Sequence, residues 1–278
     1  MVQKVALVSG ASSGIGESTA RCLHEAGFIV YGAARSVDRM AALAAAGLQT
    51  VALDVTDESS TEKVVAEILA VHGRLDVLVN NAGYGSYGAL EDVPMAEARS
   101  QIEVNLFGLA HLTRAVLPAM RARRSGTIVN ISSMGGRLAT PLGAWYHASK
   151  FAVEGLSDAL RLELRRFGID VVVIEPGLIR TEWGSKAARK LRATSSEGPY
   201  GDEAEAIAVS LENGARPDAP RTSSPDVVAS AVARAATARR PRTRYTVGFG
   251  ARPLLIVRSV LPDRAFDAFI RRISGLRA

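Results

Sequence analysis

Short β-branched runs alternate with longer stretches of helical spacing along this chain. The runs 4–9, 28–33, 49–54, 77–80, 127–132 and 170–174 carry apolar residues without polar alternation. That pattern predicts strands buried on both faces. Between them lie amphipathic stretches near 14–26, 38–46, 57–72, 95–123 and 146–167. In 57–72, Val64, Val65, Ile68 and Leu69 recur at helical spacing, with Asp57 or Thr56 as the expected N-cap. Such alternation predicts an α/β fold: a doubly wound parallel sheet with right-handed crossovers and helices on both faces, in three layers. Residues 181–223 break the pattern with Gly184, Gly198, Pro199, Gly201, Gly214, Pro217 and Pro220. They read as a mobile, partly helical insertion. A helix (225–238), a last strand (243–248) and a helical tail follow. No repeat or linker divides the chain, so the expectation is one catalytic domain over 1–250, insertion included, and a tail over 251–278.

Composition narrows the function classes. The chain has 278 residues, 47% of them hydrophobic, too apolar for disorder. A lone cysteine, Cys22, excludes a disulfide framework and a Cys-rich zinc site. Four scattered histidines form no His-x-x-x-His pair, so no metal site is expected. The net charge of +6 suggests nucleic acid or membrane partners. Its distribution removes that suggestion from the body: residues 239–278 hold ten arginines and two acids, while the other 238 residues sum to −2. No signal peptide or long apolar run stands out, and a soluble, cytoplasmic protein is expected.

The first candidate chemistry sits between the first strand and the first helix, in Ser9-Gly10-Ala11-Ser12-Ser13-Gly14-Ile15-Gly16. Gly10 permits a tight turn, Gly14 lets the backbone approach a pyrophosphate, and Gly16 lets the helix pack closely. The helix N-terminus adds free N–H groups and a positive dipole end. This predicts a Rossmann-type dinucleotide site. The second strand ends in Arg35 with no acid beside it. A guanidinium suits a 2′-phosphate, which favours NADP(H) over NAD(H). Asp38 reads as the start of the next helix. Asp54, with Val55, closes the third strand; it either meets the adenine amino group or caps a helix. Asn80-Asn81-Ala82-Gly83 closes the fourth strand, at the carboxyl edge where open α/β sheets bind ligands.

A second group of residues suits proton transfer. Tyr146 and Lys150 are four apart on a predicted helix, so they share a face. A phenol titrates near 10, and a fixed ammonium nearby is expected to lower that value. The pair therefore fits proton exchange with a carbonyl or alcohol oxygen. Ser133 follows the fifth strand and can donate to the same oxygen, whereas Ser132 reads better as a cap. Asn105 falls inside the long helix 95–123, where an amide competes for backbone bonds; a kink or a bound water is expected there.

Together these motifs resemble the short-chain dehydrogenase/reductase family. Ser9–Gly16 is similar to its glycine motif, Asn80–Gly83 to its Asn-Asn-Ala-Gly motif, and Asn105 to its active-site asparagine. Ser133, Tyr146 and Lys150 match its catalytic set in order and spacing. Pro176, Gly177, Ile179 and Thr181 match the segment that flanks the nicotinamide. The resemblance implies hydride transfer between a nicotinamide and a carbonyl or alcohol carbon. It casts Tyr146 as acid/base, Ser133 as carbonyl polariser and Lys150 as holder of the ribose hydroxyls. Asn105 would hold a relay water and Thr181 would contact the carboxamide. It also implies a homodimer or homotetramer paired through the helices near 95–123 and 146–167.

Candidate substrate walls are Tyr84, Leu138, Leu142, Trp145, Leu178 and Trp183, whose apolar surfaces favour a lipophilic small-molecule carbonyl or alcohol. Arg35 and the tail are loosely similar to the steroid- and retinoid-reductase-like branch, such as 17β-hydroxysteroid and retinol dehydrogenases. The tail places Phe266, Phe269, Ile270 and Ile273 on one stripe. Docking on the body is preferred to an anionic membrane surface, and no nucleic-acid motif is present. The competing reading is a dinucleotide-binding interaction or regulatory protein whose catalysis is incidental.

Overall fold

The computed structural model describes residues 3–276; Met1, Val2, Arg277 and Ala278, the ends of the expected domain and tail, lie outside the described residues. Among the described residues seven strands form one parallel sheet: β1 Val5–Ser9, β2 Ile29–Ala34, β3 Gln49–Ala52, β4 Val77–Asn80, β5 Gly126–Ile131, β6 Ile169–Pro176 and β7 Arg244–Val247. Their order is β3-β2-β1-β4-β5-β6-β7, and the winding reverses between β1 and β4. This is the expected doubly wound, Rossmann-type sheet. Its carboxyl edge gathers Ser9, Asn80, Ile131 and Pro176, the ends of four neighbouring strands.

Alternate strand residues face opposite layers, as a pleated strand requires. Ala6 and Val8 join one core with Leu23 of α1 (Gly14–Glu25), Leu43 of α2 (Ala41–Ala45) and Val232 of α9 (Asp226–Thr237). Val5 and Leu7 join the other with Ile68 of α3 (Glu58–His72), Val116 of α5 (Gly108–Arg123) and Leu164 of α6 (Ala144–Leu164).

Several elements depart from the sequence pattern for identifiable reasons. β3 is not buried on both faces; it is the sheet edge, and Gln49 and Ala52 are exposed. The stretch near 38–46 is a 3₁₀ turn, Val37–Met40, followed by the short α2. The long helix expected over 95–123 divides into α4 (Met95–Ile102), a π turn (Glu103–Phe107) and α5. Asp57, not Thr56, caps α3, its Oδ1 accepting from the Ser59 N–H at 2.9 Å. The insertion folds as two helices, α7 (Glu182–Ser195) and α8 (Gly201–Ala215). Both ends of α7 are tied down. Glu182 meets Arg39 at 3.0 Å, Lys190 pairs with Glu97 of α4, and Ser195 Oγ accepts from the Ala89 N–H at 2.9 Å.

The tail forms α10 (Ala251–Val260) and α11 (Asp263–Ile273) and docks on the body. Phe266 and Ile270 are buried in one cluster with Leu138; Phe269 is partly buried and Ile273 is exposed. Arg271 meets Glu203 of α8 at 3.1 Å, joining tail to insertion. Among the described residues no helix is long and apolar enough to cross a membrane. Replacing a buried aliphatic side chain by alanine costs about 2–5 kcal/mol. Ile270→Ala is therefore expected to lower unfolding free energy in urea by that amount, and Ile273→Ala by less than about 0.5 kcal/mol. Equal losses at the two positions would refute the docked stripe.

Candidate active site

The glycine-rich turn joins β1 to α1 at the point where the winding reverses. Gly10 has φ +67°, the left-handed region that favours glycine, and a Cβ on it would lie 2.9 Å from Ala82 Cα. A Cβ on Gly16 would lie 2.2 Å from the Gly10 carbonyl oxygen, so only glycine lets α1 start this close to the turn. Gly14 brings Thr181 to the same place: a Cβ there would be 3.1 Å from Thr181 Cγ2. Ser13 is the N-cap of α1 but makes no side-chain cap bond, and Ser12, Gly14 and Ile15 around it are half-buried. The first N–H groups of α1 are thus left without a side-chain cap, which fits an anionic group such as a pyrophosphate.

The Asn-Asn-Ala-Gly segment braces this turn. Asn81 Nδ2 donates to the carbonyls of Ser9 (3.0 Å) and Gly10 (3.2 Å). Arg35 stands exposed just beyond β2, and its charge reaches the Tyr84 phenol. Asp54 is not a helix cap; its Oδ1 accepts from Thr56 N (3.0 Å) and Thr56 Oγ1 (2.8 Å), closing the turn before Asp57 takes the cap. The Val55 side chain is buried against Gly108, whose hypothetical Cβ would lie 2.6 Å from Val55 Cγ2. Pro176 is buried at the end of β6, and a Cβ on Gly177 would lie 2.2 Å from the Phe249 carbonyl oxygen. Ile179 packs on the core, and Thr181 caps α7 through the Trp183 N–H at 3.3 Å.

The proton-transfer residues converge beside it. Tyr146 and Lys150 lie one turn apart on α6, both buried. The Tyr146 phenol hydrogen-bonds with Ser133, and Ser133 Oγ also accepts from the Gly135 N–H at 2.9 Å. So Ser133 caps the turn after β5. The buried Ser132 hydroxyl, expected as the cap, makes no such bond. Lys150 Nζ donates to the Ile131 carbonyl at 2.9 Å. Asn105 sits in the π turn, the expected disruption of the helix. Its Oδ1 accepts from the Tyr84 N–H (3.0 Å), and its Nδ2 donates to the Tyr84 carbonyl (2.9 Å) and Ser149 Oγ (3.0 Å). A Cβ on Gly83 would meet Asn105 Oδ1 at 3.0 Å and Lys150 Nζ at 3.8 Å, so three motifs separated in sequence share one spot.

Electrostatics here differ from the sequence expectation in one respect. Burial pushes the Tyr146 phenol up, with the Ser133 bond opposing. The ammonium is drawn to the Ile131 carbonyl, and desolvation dominates the phenol. Burial likewise pushes Lys150 down to about 8, against the charge of Glu154.

An aromatic group surrounds the phenol. The Tyr146 ring lies 5.2 Å from Trp183, 5.5 Å from His147 and 5.7 Å from Tyr87. Trp183 covers Gly85, whose Cβ would fall 2.3 Å from the indole, and Leu142 packs on the same cluster. Trp145 makes no ring contact with this group. Leu138 is not beside the phenol; it lies under α11. Leu178 is exposed, and Tyr84 lies under Lys190 Nζ at 4.5 Å. Tyr87 and His147 were missed in the sequence. The run Tyr84-Gly85-Ser86-Tyr87-Gly88, aromatic residues set among glycines just past a strand end, was the available signal.

Comparison with known proteins follows the same lines. The short chain dehydrogenase family pattern matches residues 4–192. A 3-ketodihydrosphingosine reductase of Bacteroides thetaiotaomicron is 44% identical over 181 residues, spanning 65% of this chain and 66% of that protein. A short-chain dehydrogenase from Streptomyces avermitilis superposes with TM-score 0.81 at 36% identity, covering 99% of this chain and 98% of the other. Both nicotinamide nucleotides occur among solved relatives. A metagenomic short-chain oxidoreductase is in complex with NADP (TM-score 0.68, 32% identity, 88% and 96% coverage). One from Burkholderia phymatum is in complex with NAD (TM-score 0.77, 26% identity, 92% and 91% coverage). Sequence pattern, fold and site agree, and the chain belongs to the short-chain dehydrogenase/reductase family of oxidoreductases.

Proposed function

We propose that this protein is an NADP(H)-dependent carbonyl reductase or alcohol dehydrogenase for a lipophilic ketone or secondary alcohol. The observation that carries the reading is the Tyr146 phenol. It is buried, hydrogen-bonded to Ser133, one helical turn from Lys150, and faces Tyr87 and Trp183. The glycine turn, the open N-terminus of α1 and Thr181 would hold the dinucleotide, with Arg35 on a 2′-phosphate. When bound, a nicotinamide supplies or accepts the hydride. The chain's own task is the proton at the substrate oxygen. Ser133 donates a hydrogen bond to that oxygen, and Tyr146, held protonated by burial, gives its proton in reduction and takes one back in oxidation. Lys150, as ammonium, holds ribose hydroxyls, and Asn105 fixes the backbone at Tyr84 on which the site's floor rests.

The aromatic cluster supports an apolar substrate, as does the 3-ketodihydrosphingosine reductase relative. Leu276 of the tail is buried in that same cluster, so the tail belongs to the substrate side of the molecule. Exposed Phe107, Phe151 and Leu162 stand on or beside α5 and α6, which supports pairing of two copies through those helices.

Tyr146→Phe is expected to lower kcat by at least roughly 100-fold while the NADPH Kd, read by fluorescence titration, stays within about threefold. Turnover at the parental rate would sink the assignment. A hydrogen bond to a charged partner contributes about 1.5–3 kcal/mol. Arg35→Ser should therefore weaken NADPH by roughly 10- to 100-fold and leave NADH nearly unchanged; equal weakening of both would show that Arg35 does not read the phosphate. In the reductive direction kcat/KM should fall as pH rises through about 8, where Lys150 loses its charge. A profile flat to pH 10 would remove the ammonium from the mechanism.

A further inference from the structure

His147 follows the phenol-bearing residue directly, and its side chain is turned inward and buried. Its two ring nitrogens have different partners. Nε2 lies 3.0 Å from the Thr140 backbone N–H and 2.9 Å from Thr140 Oγ1. A backbone N–H can only donate, so Nε2 accepts and carries no proton. Nδ1 lies 2.9 Å from the Gly135 carbonyl, which can only accept, so Nδ1 carries the proton and donates. The contacts thus define one neutral tautomer. The groups facing the ring are the Gly135 carbonyl, Thr140 and the edges of Tyr87 and Tyr146; no carboxylate is among them. Burial also disfavours the imidazolium, whose second proton would point at the Thr140 N–H.

The surroundings are cut to fit this ring. A Cβ on Gly135 would come 3.0 Å from Nδ1, and a Cβ on Gly143 would come 2.9 Å from Nε2. These two glycines bracket the loop that starts at Ser133. Leu142, just before Gly143, holds φ +58°, a left-handed conformation costly for a side chain of that size. The loop therefore does not rest in an easy backbone shape, and the imidazole fastens it to α6 at both Gly135 and Thr140. Gly135 is also the residue whose N–H holds Ser133 Oγ at 2.9 Å. Through one peptide neighbour, the ring fixes the position of the serine hydroxyl beside the Tyr146 phenol.

We propose that His147 is a positioning residue for catalysis: its neutral imidazole clamps the 133–143 loop and thereby sets Ser133 against Tyr146. This rests on the reading that Ser133 and Tyr146 perform the proton chemistry. The reaction's protons do not pass through the imidazole, since both its nitrogens are engaged by the loop. An asparagine in its place can keep the donor to Gly135, because its amide nitrogen falls near the Nδ1 position. A glutamine can keep only the acceptor toward Thr140.

The test is a double-mutant cycle with steady-state kinetics on the full chain, using NADPH and a ketone the parent reduces. Misplacing a reacting group by about 1 Å costs up to roughly 100-fold. His147→Ala is expected to lower kcat by roughly 10- to 100-fold with the NADPH Kd unchanged, and His147→Asn to recover kcat to within about threefold of the parent, His147→Gln recovering less. In a Ser133→Ala background, His147→Ala should cost less than about twofold more, because the group it positions is gone. Should His147→Ala fail to fold, judged by circular dichroism, His147→Gln takes its place in the cycle. Losses that multiply independently, or a kcat for His147→Ala within twofold of the parent, overturn the inference alone. A parent without turnover on any carbonyl overturns the catalytic reading and the inference with it.

Discussion

The site depends first on a clamp between two strand ends. Ser9 Oγ, at the end of β1, accepts from the N–H groups of Asn81 (3.0 Å) and Ala82 (3.1 Å) and donates to the Val79 carbonyl (3.3 Å). Asn81 returns two bonds from its amide to the carbonyls of Ser9 and Gly10. β1 and β4 are the strands between which the winding reverses, so their carboxyl ends would otherwise diverge with no helix to cover the gap. Five hydrogen bonds across a few ångströms hold the glycine turn and the start of the chemical half in one frame. Asn81, expected at the ligand, first serves this frame through its amide.

From that clamp a line of buried polar groups runs into the catalytic half. Asn80 Nδ2 donates to Asn130 Oδ1 on β5 and to Thr113 Oγ1 on α5, and Asn130 Nδ2 donates to Ser157 Oγ on α6. A second line joins the Tyr84 backbone, Asn105 and Ser149. Buried polar groups are costly unless paired, so each bond fixes a register between elements that apolar packing alone would let slide. α6 is held at Ser149, Lys150, Glu154 and Ser157 on one side, and His147 holds it to the loop on another. The buried face of the helix that carries the phenol is thus tethered by polar bonds along its length.

What the sequence disclosed was whatever repeats a local rule. The strands, the glycine turn and the Tyr146–Lys150 pair follow from local pattern, because a strand buried on both faces is a short unbroken apolar run and a helix returns to one face after four residues. Asn105 was legible as a helix disruption because an amide is a poor mid-helix residue, and the π turn is that disruption. The failures all concern relations between distant segments. β3 has an apolar run, but only the strand order makes it an edge. Ser132 reads as the cap after the fifth strand, but Ser133, which faces the phenol as expected, also takes the cap, and Ser132 is buried behind it. Leu138 has the composition of a substrate wall, yet α11, more than a hundred residues later, covers it. Tyr87 and His147 belong to no local rule; their roles exist only once the loops after β4 and β5 are folded over α6.

The same distinction resolves the basic tail. Part of its charge is spent on ion pairs. Arg244 turns inward and pairs with Asp158 at 2.7 Å and Glu154 at 3.0 Å, beside the fully buried Glu175. Arg258 meets Asp263 at 2.8 Å within the tail, and Arg271 meets Glu203 on the insertion. Two residues of the apolar stripe are used by the body: Phe266 and Ile270 are buried with Leu138. Part of the arginine excess in this segment therefore serves to fasten it. Arg244, Arg258 and Arg271 find acids on α6, on the tail itself and on α8, while the tail's apolar face closes the side of the molecule where Leu276 joins the cluster around Tyr146.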